Sequence, residues 1–161
     1  MKRLLAIDDD LNFLKTLENL LTYKQFNIEI FTDPKKALES FKQNHFDTIL
    51  LDVMIPEING LELLEEFQSI NPHIPAIMIS GESHYEEVVL AIKKGAYDFI
   101  EKPLNAERLL ITIRNALQRK EWYNQKKQLL NSIDGSFQMV GESKVFKKLI
   151  EDISILSNTD A

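Results

Sequence analysis

The chain has no cysteine. Disulfides and thiolate chemistry are therefore excluded, and a cytosolic setting is expected. No apolar run approaches the ~20 residues that a membrane helix needs. The opening Met1-Lys2-Arg3-Leu4-Leu5-Ala6-Ile7 starts like a targeting segment, but Asp8-Asp9-Asp10 interrupts it and it reads as a strand. Internal repeats and low-complexity tracts are missing too. The histidines, His45, His73 and His84, have no ligand spacing and are expected at the surface. A basic excess is also lacking. The net charge is −6, and residues 1–104 carry 10 Lys and Arg against 18 Asp and Glu. So acidic a body argues against nucleic-acid binding by this part. Residues 105–133 reverse the sign, at 6 against 2, and residues 134–161 return to 3 against 5, which marks a boundary near residue 105. At 161 residues, 44% of them hydrophobic, the chain is long enough for one ordinary domain with some length left over.

What is present alternates. Stretches at 3–8, 27–31, 46–52, 76–79 and 97–100 read as strands. The continuous apolar run that ends at Asp52 fits a strand buried on both faces of a parallel sheet. Between them lie helical patterns. Leu11, Leu14, Leu17, Leu20 and Leu21 form one stripe, and Ala37, Leu38 and Phe41 another behind the cap pair Asp33-Pro34. Leu61, Leu63, Leu64 and Phe67 follow Gly60, and Val88, Val89, Ala91 and Ile92 precede Gly95. A last helix opens near Asn105, with Leu109, Ile113 and Leu117 toward the sheet. Five βα units in strict alternation predict an α/β fold with helices on both faces and the flavodoxin-like strand order 2-1-3-4-5.

That order makes the first, third, fourth and fifth strands neighbours, so their carboxyl ends line one cleft. The ends are Asp8-Asp9-Asp10, Asp52, Ser80-Gly81 and Lys102-Pro103. Clustered carboxylates repel one another unless a cation neutralises them, and Mg²⁺ (or Mn²⁺) suits an all-oxygen site. Asp9 and Asp52 are candidate direct ligands, Asp8 a ligand through water, and the Met54 backbone carbonyl can complete the sphere. Lys102 without a metal is the alternative cation, but one ammonium does not balance three acids. Positioning and charge neutralisation are most of what attack on a phosphoryl group requires. Asp52 is placed to attack, with Lys102 and the Ser80 hydroxyl on phosphoryl oxygens. A tight Lys102-Pro103 turn, cis or trans, would aim the ammonium inward.

These residues, Asp8-Asp9, Leu51-Asp52-Val53-Met54-Ile55-Pro56 with Gly60, Ser80-Gly81 and Lys102-Pro103, resemble the receiver domain of two-component response regulators over residues 1 to about 120. The resemblance implies a CheY-like fold and phosphoryl transfer from a sensor histidine kinase to Asp52. It implies a Mg²⁺ site at Asp8, Asp9, Asp52 and Met54, and switch roles for Ser80 and Phe99. It makes the chain a regulatory phospho-acceptor rather than an enzyme, apart from self-catalysed transfer and slow dephosphorylation. Glu82, two residues past Ser80, is a candidate for tuning the lifetime of the acyl phosphate. The rival with the same side chains, a haloacid-dehalogenase-type phosphatase, needs a second acid where Met54 stands and has its acidic pair last in the chain. A degenerate receiver serving only to bind proteins is the other alternative, and intact Asp52 and Lys102 argue against it.

The tail adds a second likeness. Met139-Val140-Gly141-Glu142-Ser143 and Ile153 through Ala161 resemble the opening of the AAA+ ATPase domain of NtrC-type activators, which work with sigma-54 RNA polymerase. The run from Ile77 to Pro103 is most similar to the NtrX branch. The resemblance divides the chain into a receiver at 1–120, a linker helix and break at 121–137, and a truncated AAA+ opening at 138–161. The break is expected at Asp134-Gly135-Ser136, with a further helix over Ser143–Ile155. Gly141-Glu142-Ser143-Lys144 is not a phosphate-binding loop, so the chain is expected to bind neither ATP nor, lacking a helix-turn-helix, specific DNA. Contact with DNA and the polymerase would run through parts absent here. Leu109, Ala116, Tyr123 and Leu130 recur every seven residues beside a mostly polar series of Thr112, Arg119, Lys126 and Ile133. That half seam is compatible with a solvated helix or with a homodimer through residues 105–133.

Overall fold

The computed structural model describes residues 1–81 and 85–141, with backbone alone over 134–141. The chain parts into two units, Met1–Lys120 and Glu121–Ala161, and the sheet lies wholly in the first. Strand β1 (Arg3–Ile7) leads to helix α1 (Leu11–Tyr23), and β2 (Asn27–Phe31) to α2 (Pro34–Gln43). Strand β3 (Thr48–Asp52) is followed by two short strands, β4 (Met54–Ile55) and β5 (Ile58–Asn59), and then by α3 (Gly60–Ile70). Strand β6 (Ala76–Ser80), α4 (Tyr85–Lys93), β7 (Asp98–Glu101) and α5 (Ala106–Gly141) complete the order. The sheet runs β2-β1-β3-β6-β7 with every pairing parallel. This is the expected five-stranded order, with the small hairpin inserted after the third strand.

The inner strands β1, β3 and β6 carry continuous apolar runs because both faces are covered, while the edge strands β2 and β7 carry polar residues at Asn27, Glu29, Asp98 and Glu101. On β1, Leu5 and Ile7 face α2, α3 and α4, while Leu4 and Ala6 face α1 and α5. Polar caps set the helix starts. Asp10 Oδ1 accepts from the N–H groups of Asn12 (2.8 Å) and Phe13 (3.1 Å). Asp33 does the same for Lys35 at 2.9 Å, with Pro34 in the first turn, as the sequence predicts. Gly95 sits at φ 93° just past α4, a left-handed conformation that glycine adopts without Cβ strain.

Several expectations are corrected. Leu11 and Ile92 are exposed rather than part of their stripes. Leu11 opens the first turn of α1, ahead of the buried run Leu14, Leu17 and Leu21. In α4 only Ala91 is buried, and Ile92 is one step of about 100° around the helix from it. Helix α5 does not break at Asp134-Gly135-Ser136 but runs on to Gly141. One glycine in a helix costs about 1 kcal/mol against alanine, which weakens a helix without ending it. The β4–β5 hairpin was not expected. Its loop is Pro56-Glu57, with proline first and Glu57 at φ 74°, the pattern of a type II turn that usually has glycine second. Glu82, His84 and the Ser143–Ile155 helix lie outside the described residues, as does the part of the AAA+ likeness from Glu142 onward.

Candidate functional site

The carboxyl ends of β1, β3, β6 and β7 meet at one rim. Asp8 follows β1 directly and is buried, Asp9 beside it is exposed, and Asp52 closes β3 and is buried. Oxygen atoms of these three carboxylates lie within 4.8 Å of one another. Lys102 follows β7, and its Nζ donates to Asp8 Oδ2 at 2.6 Å and to Asp52 Oδ2 at 3.4 Å. Its backbone N–H donates to the Ser80 carbonyl at 2.7 Å, and its peptide bond to Pro103 is cis. Residues at 8, 52 and 102 are thus brought together as the sequence predicts.

The loop after β3 is held tightly. The Val53 N–H donates to the Ile79 carbonyl at 3.0 Å, and the Gly60 N–H donates to the Val53 carbonyl at 2.9 Å. A Cβ on Gly60 would lie 2.1 Å from the Asp52 carbonyl oxygen. Only glycine allows the start of α3 to close so near the end of β3. Met54 donates its N–H to Asp52 Oδ1 at 3.3 Å, with its side chain exposed. With methionine there, the acid that a dehalogenase-type phosphatase needs at this place is absent.

Ser80, fully buried, ends β6 one residue beyond Ile79, the register partner of Asp52. Phe99 pairs with Met78 across β6–β7 and is buried on the α2–α3–α4 side. His45 and His73 are exposed, as expected.

The electrostatics are those of an acid cluster served by one cation. Burial pushes the Asp52 carboxyl above its ordinary 3.8, the negative charge of Asp8 pushes it further, and the Lys102 charge and the Met54 N–H oppose this only in part. Burial works against the Lys102 ammonium, yet its hydrogen bond to Asp8 and the charges of Asp52 and Asp8 outweigh that and raise it above 10.5. One ammonium shared by two buried acids explains both directions. With the third acid, Asp9, the cluster keeps an excess of negative charge, and its donors are hard oxygens. Such a set fits a divalent cation of the Mg²⁺ type.

Two contacts at the rim are not apparent from the sequence. Asp10 accepts at the start of α1, and its own N–H donates to Asp8 Oδ1 at 2.9 Å. The Phe13 ring lies under the Lys102 ammonium, with Nζ 4.3 Å from the ring centroid. Asp10 is legible as one more acid of its triplet, whereas Phe13 lies outside the leucine stripe of α1.

Residues 4–114 match the family described as response regulator receiver domain. Among curated proteins, the chain is 30% identical over 158 residues to the transcriptional regulatory protein ZraR of Escherichia coli K12, covering 98% of this chain and 35% of that protein. It is 31% identical over 160 residues to the nitrogen assimilation regulatory protein NtrX of Azorhizobium caulinodans, covering 98% and 35%. The chain thus spans about a third of the length of these relatives. Among solved structures, NtrX from Brucella abortus in complex with ADP superimposes with a TM-score of 0.76 at 30% identity, over 80% of this chain and 30% of that one. The beryllofluoride-activated NtrC4 receiver domain dimer gives 0.72 at 32%, over 74% and 99%.

Proposed function

The chain belongs to the response regulator receiver family, and on that premise we propose that Asp52 is its phospho-acceptor, taking a phosphoryl group from the phosphohistidine of a sensor histidine kinase. A bond forms between an Asp52 carboxylate oxygen and phosphorus while the phosphorus–nitrogen bond of the donor breaks, and the departing imidazole takes a proton from solvent. The observation that carries this reading is the reach of one ammonium to two buried acids, 2.6 Å to Asp8 and 3.4 Å to Asp52, inside a three-carboxylate cluster. Asp9 and Asp52, Asp8 through a water, and the Met54 carbonyl would hold Mg²⁺ (or Mn²⁺). When bound, that ion supplies the positive charge that brings an anionic phosphoryl group up to an anionic nucleophile. Lys102 pairs with a second phosphoryl oxygen, and the Ser80 hydroxyl donates to a third. The new charge on Asp52 draws Ser80 toward it, and Phe99 repacks behind Ser80 as the switch. The test is labelling by acetyl phosphate with Mg²⁺. Wild type is expected to be modified and Asp52→Asn unmodified; an unlabelled wild type, or equal labelling of both, would overturn the assignment.

The wider role follows from the likeness to ZraR and NtrX, both named as regulators. In this reading residues 1–120 are the receiver, 121–137 a linker, and 138–161 the opening of an AAA+ domain whose ATPase is incomplete in this chain. Phosphorylation then governs that domain, in a cytoplasmic protein acting on sigma-54 RNA polymerase and DNA through parts outside this chain. We also propose a homodimer through residues 105–133. Its support is the series Tyr123, Leu130 and Ile133, spaced seven and three apart on α5 and all exposed together with Trp122 and Leu129. Light scattering is expected to give a dimer for the chain and a monomer for Leu130→Glu/Ile133→Glu; equal masses would remove the seam.

A further inference from the structure

We propose that Phe13 is a positioning residue for phosphoryl transfer, its ring face holding the Lys102 ammonium in place over the acid cluster. The proposal rests on the phospho-acceptor reading of Asp52. It starts from a closed circuit of contacts at the rim. Asp8 Oδ2 takes Lys102 Nζ at 2.6 Å, and Asp8 Oδ1 takes the Asp10 N–H at 2.9 Å. Asp10 Oδ1 takes the Phe13 N–H at 3.1 Å, and the Phe13 ring meets Lys102 Nζ at 4.3 Å. The cap that starts α1 therefore also fixes where the ring stands relative to the ammonium.

The chemistry of the contact gives it a purpose. An ammonium at this distance from a ring centroid is attracted by the negative face of the ring quadrupole. Lys102 hangs on a flexible four-carbon stem and would otherwise take up water where the Phe13 ring now stands. An aromatic face there satisfies the charge without offering a competing carboxylate. Beyond the two acids and the ring the Lys102 side chain keeps 22% exposure, and an incoming phosphoryl oxygen would approach from there. Holding a cation ready where charge will arrive spares its reorganisation during reaction. A purely packing role for Phe13, which touches the α1–α5 core at its edge, predicts dependence on side-chain size alone.

Shape and electrostatics are separated by fluorination. With acetyl phosphate and Mg²⁺, 3,4,5-trifluorophenylalanine at position 13 keeps the shape but cancels most of the quadrupole. It is expected to slow labelling of Asp52 several-fold, and Phe13→Leu about tenfold, while Phe13→Trp keeps or exceeds the wild-type rate. Wild-type speed in the trifluoro protein would overturn the proposal, whatever Phe13→Leu does to stability. A second measurement needs no phosphoryl donor. In chelator-treated wild type the Lys102 ε-methylene protons are expected upfield under the ring current, and the displacement should vanish in Phe13→Leu. Unshifted ε-protons in wild type would also overturn it. A wild type that shows the ring-current shift but takes no label would instead count against the role of Asp52.

Discussion

Two aspartates stand at opposite ends of β3, and each meets a lysine from the C-terminal part of the sequence. Asp47, just before the strand, accepts the Arg3 N–H at 2.9 Å and Lys120 Nζ at 3.2 Å, with His45 at 3.4 Å. Lys120 also donates to the Phe46 carbonyl at 2.8 Å. Burial would raise the Asp47 carboxyl, but the Arg3 N–H and the bond and charge of Lys120 overcome it and leave it below 3.8. Asp52, at the other end, shares its lysine with Asp8, has one long bond to a backbone N–H, and is left above 3.8. The same two residue types thus make a finished joint at one end and an unfinished one at the other. The difference lies in the partners: Asp47 has one full cation and a backbone donor to itself, whereas Asp52 sits among other acids. Charge left unbalanced in the metal-free protein is what makes the rim receptive to a cation and a phosphoryl group.

Breaking the finished joint should cost the most. Asp47→Ala leaves Lys120, whose side chain is only 10% exposed, without its acid. A loss of about 3 kcal/mol is expected in chemical denaturation, with labelling of the folded protein unchanged. An unchanged midpoint would mean that the joint is decorative. Next comes Gly60→Ala, which attacks the support of Asp52 rather than its charge. Its Cβ would lie 2.1 Å from the Asp52 carbonyl and 2.8 Å from Val53 Cα, both backbone atoms that move only together. A loss of about 2 kcal/mol and slower labelling are expected. Stability loss with full labelling would show that the site tolerates a displaced strand end.

A smaller effect distinguishes the two ends by ligand. Mg²⁺ at ten times its dissociation constant is expected to stabilise wild type and Asp47→Asn alike by about 1.4 kcal/mol, read as a rise in Tm, and Asp52→Asn much less. Chelation should reverse it. Equal shifts in all three would place the ion elsewhere.

The smallest effect is in pH, and its sign differs between the ends. The lowered Asp47 carboxyl contributes stability above 3.8 that is lost as pH falls through its folded-state value. The raised Asp52 carboxyl does the reverse, and stability is lost as pH rises from 3.8 through its folded-state value. In chelator, the gaps in Tm between wild type and each Asn variant should therefore both close on acidification, from opposite sides. A gap that stays open at acid pH would trace to shape rather than charge.

The sequence displayed one of these ends and hid the other. Asp8, Asp52 and Lys102 were legible because each terminates an apolar run, and parallel alternation forces such termini onto one rim. Strands β1, β3 and β6 were legible for the same reason, being buried on both faces. Asp47 precedes its strand, and apart from His45 its partners are distant in sequence: Arg3 lies 44 residues away, and Lys120 lies 73 residues away in a helix with its own apolar stripe. Phe13 was hidden likewise, since a ring under an ammonium leaves no periodicity. The β4–β5 hairpin was missed because Glu57 occupies a left-handed position that sequence patterns reserve for glycine. Gly135 signals a helix end locally, but the helix continues through it to Gly141 because one glycine weakens a helix without ending it.

The contrast between the two ends of β3 is tested most directly by thermal unfolding of Asp47→Asn and Asp52→Asn beside wild type, in chelator at neutral pH. Removing the charge of Asp52 is expected to raise Tm by a few degrees, about 1 kcal/mol, and removing that of Asp47 to lower it by at least as much. Shifts of the same sign would contradict the account, because the two carboxylates would then be equally well paired and the rim would hold no uncompensated charge for a cation or a phosphoryl group to meet.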